Sequence, residues 1–240
     1  MFKCIFFFGG LFLIAIAFGA NAKIIIKIGC SNFPPYFNVE NGLCLRGKGI
    51  DKIRELNKKQ KKYDFQLYVT APARKTMDFQ NRKFDMSLYS NINWGWDKST
   101  VFASCIFGTD HEVFVARKDQ VAGNNAYFDD IAAKRIVAIN GYHYAFAQFN
   151  ADREFLHKHF NIELTNTHEG NLMAVMLGRA DMAIVTKSFL DDWRQEHPDL
   201  SPDLMEAKKY DQTYQFTAVV RKDGSLTKRE IDQLLGCDSR

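Results

Sequence analysis

Two segments of this chain echo one another about a hundred residues apart: Val115-Ala116-Arg117-Lys118-Asp119 and Val219-Val220-Arg221-Lys222-Asp223. Each ends an apolar, strand-like run, and each lies at a boundary of the same block of sequence. Before the first echo, strand and helix patterns alternate. Ile24–Ile28 is a continuous apolar run, the pattern of a strand covered on both faces. Gly49 to Lys62 carries Ile50, Ile53 and Leu56 at helical spacing. Phe65–Val69 reads as a strand, Ala73 to Arg82 as a helix, Phe84–Tyr89 as a strand and Val113–Ala116 as another.

A polar linker, Gln120–Ala126, follows, and the alternation restarts. Phe128–Ala133 reads as a short helix, Arg135–Ile139 as a strand ending at Asn140-Gly141, and Tyr144 to His159 as a helix. Ile162–Leu164 (strand), Glu169–Leu177 (helix), Met182–Val185 (strand) and Ser188–Glu196 (helix) come next, and Pro198 and Pro202 break the chain. Gln215–Val220 is a final strand. Two βαβ blocks with a closing strand predict an α/β protein of two lobes built on parallel sheets. The two echoed strands are expected at the crossings between lobes. Lobe 1 is expected to comprise 23–110, completed by 214–240, and lobe 2 to comprise 111–213.

The first 22 residues read as a cleaved secretory signal. Lys3 is its only charge, Ile5 to Phe18 is apolar, and Ala20-Asn21-Ala22 has the small-residue spacing of a cleavage site. The apolar run is short for a membrane span, and no Cys follows the cleavage site to carry a lipid. Removal of residues 1–22 from the 240 leaves 218, enough for one large domain or two small lobes. The net charge of +4 becomes +3 once Lys3 is gone. That mild, mixed balance gives no reason to expect nucleic acid. The densest basic run, Lys58-Lys59-Gln60-Lys61-Lys62, sits at a predicted helix end, where cations favour the dipole.

Four cysteines remain after cleavage: Cys30, Cys44, Cys105 and Cys237. Export permits disulfides. Three full pairings are open, and Cys30 with Cys44, which flank one loop, is the favoured pair. No CxxC or HxxxH spacing supports zinc. His157 and His159 project about 200° apart on a predicted helix, nearly opposite faces. No metal and no cofactor is expected.

In an α/β cleft, ligands meet the loops beyond the strand C-termini. That rule selects Asn32, Phe33 and Tyr36 after the first strand, where Pro34-Pro35 fixes the backbone. It also selects Arg74 before a helix, Ser90, Asn91, Trp94 and Trp96 after Phe84–Tyr89, Tyr142 and His143 (with Tyr144 beside them) after Asn140-Gly141, and Thr186 after Ile184-Val185. Each has a plainer reading. Phe33 and Tyr36 plug a lobe edge equally well. Arg74 is spaced to pair with Asp78 at i,i+4. Trp94 and Trp96, alternating as strand neighbours would, are as much core as stacking platform. Asp51 and Asp181 read as structural.

The order of motifs resembles the family 3 extracellular solute-binding proteins, the periplasmic receptors of polar amino-acid uptake systems. Asn32-Phe33-Pro34-Pro35-Tyr36, Gly47-Lys48-Gly49-Ile50-Asp51, Arg82-Lys83-Phe84-Asp85-Met86, Phe102-Ala103-Ser104, Ala133-Lys134-Arg135-Ile136-Val137, Asn140-Gly141-Tyr142 and the run from Asn171 to Ala183 carry it. The resemblance implies the type II periplasmic-binding-protein fold with a hinge between its lobes. It implies capture of a small polar solute, amino-acid-like or another small organic acid, by hinge closure. It further implies a monomer in the periplasm that delivers its ligand to an ABC permease. It also implies departures. The slot of the family's carboxylate-clamping Arg falls at Asp97, beside Lys98. The slot of its ammonium-holding acid falls at Thr186, and that of a first-strand acid at Cys30 or Ser31. The usual amino-acid handles are therefore missing or moved, with Arg74 or Lys98 the candidates for a relocated anion partner. The chain also stops soon after Leu235, short of the closing helices the resemblance implies. Two rivals stand beside this reading. One is an enzyme of the same fold, a dehydratase on a prephenate-like acid using His143, Asp97 or Glu169. The other is a sensory or accessory protein that passes its closure to a partner.

Overall fold

The computed structural model describes residues 22–237. The expected signal lies outside them except for its last residue. The chain forms β1 (Ile24–Cys30), the hairpin β2 (Asn38–Glu40) and β3 (Leu43–Arg46), α1 (Lys48–Lys59), β4 (Tyr63–Val69), α2 (Lys75–Gln80), β5 (Met86–Ser90), β6 (Val101–Ala103) and β7 (Gly108–Arg117). It continues through α3 (Lys118–Val121), β8 (Ile136–Ile139), α4 (Arg153–His159), β9 (Ile162–Thr165), α5 (His168–Met176), β10 (Met182–Thr186), α6 (Lys187–Glu196), β11 (Leu204–Glu206), β12 (Gln212–Arg221) and α7 (Lys228–Leu235).

One sheet runs through the molecule in the order β4-β1-β5-β12-β7-β10-β8-β9. The β1/β4, β1/β5, β8/β9 and β8/β10 pairs are parallel, as a strand–helix alternation requires. The two central strands run antiparallel to each other over Gly108–Glu112 and Gln212–Phe216. They then part. The second half of β7 joins β10 and β11, and the second half of β12 joins β5 and β6. The sheet is thereby shared between two lobes, each with its own core. One core gathers Ile26, Leu56, Met86 and Phe216, and the other Val115, Leu172, Ile184 and Trp193. Disulfides join Cys30 to Cys44 and Cys105 to Cys237.

Several local expectations are overturned. Ile24 and Ile25 are exposed, so only the second half of β1 is covered on both faces. Phe128–Ala133 is not helical. The Asn124 side chain instead caps a 3-10 turn over Asn125–Phe128, and the Asp130 carboxylate accepts from the Ala133 amide to make the next turn. The helix expected from Tyr144 begins only at Arg153. A 3-10 turn (Ala145–Ala147) ends with Gln148 and Phe149 at positive φ, and Asp152 then caps α4 through the Phe155 amide. Trp94 and Trp96 lie in a turn around Gly95, at φ +68°, not on a strand. The linker expected over Gln120–Ala126 is shortened by α3, which ends at a left-handed Ala122.

Candidate functional site

A cavity of about 60 Å³ lies where β7 and β12 bring the lobes together. Its wall on the β1 side is Ser31, Phe33, Pro72, Lys75, Thr76, Ser90, Trp94 and Trp96. Its opposite wall is Gly141, Tyr142 and His143, and the hinge strands add Glu112 and Gln212. The wall is mostly apolar with a few polar groups, as small-molecule sites are.

The aromatic side is held rigidly. Phe33 meets Trp94 and Tyr142 edge-on, with ring centroids 5.9 and 5.6 Å away. Trp96 is buried against Phe79 and donates from Nε1 to Ser90 Oγ at 3.0 Å. Gln212 on β12 donates to the His143 carbonyl at 2.6 Å. The Asp211 carboxylate accepts from the amides of Ala145 and Phe146, fixing the far end of the Tyr142–Tyr144 segment. His143 lies 2.8 Å from the Phe149 carbonyl through Nδ1, which therefore carries the proton, and burial lowers its pKa.

The lobes touch across the cleft. Tyr142 donates its hydroxyl to the Asn32 carbonyl at 2.9 Å, and the Asn32 amide reaches the Asn166 carbonyl at 3.3 Å. Gly141, at φ +82°, presses on Pro72-Ala73 so closely that a Cβ there would lie 2.2 Å from the Ala73 nitrogen. Only glycine permits both that approach and that backbone. Asp110 on β7 joins the halves a second time. It accepts the Tyr36 hydroxyl at 2.6 Å and the Ser188 hydroxyl on the same oxygen.

Glu112 is the most unusual group in the cavity wall. The residue is 2% exposed. Thr186 donates to Oε1 at 3.1 Å and Tyr214 reaches the same atom at 3.4 Å, while Oε2 has no partner among the described residues. Burial first, then the nearby Asp211 carboxylate, pushes its pKa well above the ordinary value. Behind Thr186 lies His168, buried, with Nε2 3.2 Å from the Thr186 hydroxyl and a pKa lowered by burial to about 3. A neutral His168 donating to Thr186, which donates to Glu112, satisfies that chain with one proton per bond. Lys75 is the other charged group in the wall. Burial lowers its pKa to about 8, and no ion pair holds its ammonium among the described residues.

Of the residues selected from sequence, Phe33, Ser90, Trp94, Trp96, Tyr142 and His143 line this cavity together. Asn32, Tyr36 and Thr186 stand one layer behind it, in the bonds just described. Asn91 is placed outside and reaches the Gln215 carbonyl at 3.3 Å. Arg74 projects outward, its guanidinium 3.5 Å from Asp78, and Lys98 reaches Asn93. Asp97 caps its own turn through Ser99, and Glu169 is exposed in the first turn of α5. Asp181 binds the Arg135 amide and guanidinium, and Asp51 pairs with Arg54. Glu112, Lys75 and Gln212 were not selected. The available signal for Glu112 was its place two residues from Phe114 and four from Ala116, on one face of a strand extended towards its N-terminus.

No family model matches the sequence, and no curated protein matches it. Solved structures do. A P235GK mutant of ArgBP from T. maritima superposes with a TM-score of 0.66 at 18% identity, over 88% of this chain and 88% of that one. The GluR0 ligand-binding core in complex with L-glutamate superposes at 0.68 and 11% identity, over 89% and 91%. An ABC uptake transporter substrate-binding protein from Streptococcus pneumoniae with bound histidine gives 0.65 and 17%, over 88% and 85%. At these identities the likeness defines the fold, which is the two-lobed periplasmic-binding-protein fold. The arrangement of β7 and β12 supplies its hinge.

Proposed function

We propose that this chain is an exported solute-binding protein that captures a small polar solute by closing its two lobes around it. The observation that carries the reading is the composition of the cavity wall. Phe33, Lys75 and Trp94 come from one lobe, Tyr142 and His143 from the other, and Glu112 from the strand between them. A ligand held there contacts both lobes at once, so its binding free energy favours the closed state over the open one. The similar structures named above include a histidine-bound substrate-binding protein, an ArgBP mutant and a ligand-binding core in complex with L-glutamate, which agrees with such a role.

In this reading residues 23–110 with 214–240 move against 111–213. Phe33, Ser90, Trp94, Trp96, Tyr142 and His143 contact the ligand, and Asn32, Tyr36 and Thr186 hold the site in place. Among the described residues no helix is long and apolar enough to cross a membrane. A cleaved signal would deliver the chain to the periplasm as a monomer, and an ABC permease would receive the ligand. An enzymatic role has less support. Asp97 and Glu169, the carboxylates weighed as acid or base, are exposed and outside the cavity that His143 lines. Small-angle scattering tests the motion. The radius of gyration is expected to fall when a tight ligand is added. An unchanged radius at saturation, together with no small molecule retained in native mass spectrometry, overturns the proposal.

A further inference from the structure

Resting on the reading of this cavity as a ligand site, we infer that Lys75 is a nucleophilic amine that captures small aldehydes there as a reversible imine, with His143 carrying the protons. An amine attacks carbon only as its free base. A protein favours the free base by stripping water from the ammonium and offering it no counter-ion. Lys75 meets both conditions. It lines a mostly apolar wall with Phe33, Pro72, Trp94 and Tyr142. Asp78, three residues on in α2, is the acid spaced to hold it. The Asp78 carboxylate is instead taken by the Thr70 hydroxyl and the Arg74 guanidinium. Burial is the only influence on the Lys75 pKa, which falls to about 8 with no carboxylate offsetting it.

The other titratable groups around the cavity supply no counter-charge. Burial favours the neutral form of Glu112 and keeps the Tyr142 hydroxyl protonated. At pH 7.5 about a quarter of amines titrating at about 8 are free base, against about one in a thousand for an ordinary lysine. Lys75 is also partly exposed, so a small molecule in the cavity reaches it. The volume of about 60 Å³ limits that molecule to a few carbons.

His143 stands in the opposite wall. Burial, and to a smaller degree the Lys75 charge, lowers its pKa against the bond to Phe149, so the two groups are neighbours. The Nδ1 proton is committed to the Phe149 carbonyl. That leaves Nε2 a free acceptor at neutral pH. In the capture step the amine lone pair adds to the carbonyl carbon, and the π pair of C=O moves onto oxygen. Both amine protons then pass to that oxygen through Nε2, one as the carbinolamine forms and one as the C–O bond breaks. Water leaves and C=N takes its place. One amine and one aldehyde give one imine and one water, and hydrolysis reverses the step. Because the amine and the proton carrier come from different lobes, capture and closure are coupled.

Reductive trapping on the mature chain tests this. Acetaldehyde, propanal and butanal are the probes, and cyanoborohydride reduces any imine to a stable secondary amine. Peptide mapping by mass spectrometry then gives the rate at every lysine in one sample. At pH 7.5 Lys75 is expected to be alkylated at least tenfold faster than any other lysine by at least one probe. Its rate is expected to level off above about pH 8, while the rates of the other lysines keep rising. Urea is expected to abolish the advantage, and Lys75→Arg to remove the fast site. His143→Gln is expected to slow capture at Lys75 about tenfold and leave the other lysines unchanged. The comparison among lysines needs only the wild type, so a variant that fails to fold does not remove the test. Lys75 reacting no faster than the other lysines overturns the inference, and an unchanged rate in His143→Gln overturns the part given to His143. If Lys75 is slow but native mass spectrometry finds a solute held without a covalent bond, the solute-binding reading stands and this inference alone falls. If Lys75 is fast but scattering shows no closure on capture, the imine stands and the closing motion falls.

Discussion

Strands β7 and β12 hold matching positions in the topology and end in nearly the same five residues, yet they carry opposite burdens. Both are ten residues long, both start in the shared central ladder, and both finish in separate lobes. β12 buries Tyr214, Phe216, Ala218 and Val220, which the apolar core explains. β7 buries two acids, Asp110 and Glu112, which it does not. Buried carboxylates without a cation do not improve stability over apolar residues of similar volume. Their presence on one hinge strand and not on the other sets the two apart. β12 mostly builds the core and adds only Gln212 to the cavity wall, whereas β7 carries the acid that joins the lobes and the acid in the cavity wall.

The echoed arginines show the same contrast in reverse. Arg221, at the end of β12, is buried over the Phe79 ring, with its guanidinium carbon 4.4 Å from the centroid. It donates to the carbonyls of Phe79 at 2.6 Å and Phe84 at 3.3 Å, and lies beside Asp85 and Asp223. Arg221→Ala takes the side-chain donor from the Phe84 carbonyl, leaves the Phe79 carbonyl with only its backbone donor from Arg82, and opens a hole beside Phe79. At about 1–3 kcal/mol for one orphaned group, with the lost packing added, the loss is about 3 kcal/mol. Urea unfolding monitored by circular dichroism measures it. A loss below about 1 kcal/mol means that β12 does not carry the structural burden assigned to it.

The next test strikes β7. The Tyr36 hydroxyl, the Asp110 carboxylate and the Ser188 hydroxyl form one buried junction between the first loop, the hinge strand and α6. Burial, then the hydrogen bond to Asp110, pushes the Tyr36 pKa far up, so it stays a donor at any physiological pH. Tyr36→Phe removes that donor and little else. A hydrogen bond to a charged group contributes about 1.5–3 kcal/mol. If the junction belongs to the closed state, a loss of about 2 kcal/mol weakens the ligand bound by the wild type about thirtyfold. Calorimetry with that ligand gives the value. An unchanged affinity with a lowered melting temperature would make the junction a part of the framework, and the difference between the strands would narrow to Glu112.

Much of this fold was legible in the sequence because periodicity reports burial. Ile50, Ile53 and Leu56 placed α1, and the run from Ile136 to Ile139 placed β8. The two misplaced helices share one cause, local polar chemistry overriding pattern. Asp152 restarts a helix that apolar spacing alone would begin at Tyr144. The aromatic part of the cavity was legible because Phe33, Trp94 and Tyr142 stand in loops beyond strand ends, where clefts form. Its charged part was not. Asp110-His111-Glu112 reads as a surface segment, so the sequence pattern begins the strand at Val113. In fact it begins at Gly108, and its acids are buried by pairing with β12. Lys75 was hidden among the basic residues of an expected helix, and only the position of α2 against the cleft turns it inward.

The smallest expected effect completes the comparison. Arg117 occupies in the first echo the place of Arg221 in the second, and is followed by the same Lys-Asp pair. Its guanidinium stays at the surface and pairs with Asp119 two residues on. An exposed pair of that kind gains little, because water and salt screen both charges and two long side chains must be ordered to form it. Arg117→Ala is therefore expected to melt within error of the wild type, and to do so at low and high salt alike. Measured beside Arg221→Ala in the same buffer, it asks whether sequence likeness or structural setting decides what an arginine is for. Equal destabilisation by the two substitutions would show that the echo marks a shared structural role. A silent Arg117→Ala beside a damaging Arg221→Ala would show that the same five-residue pattern serves a lobe's core at one crossing and only its surface at the other.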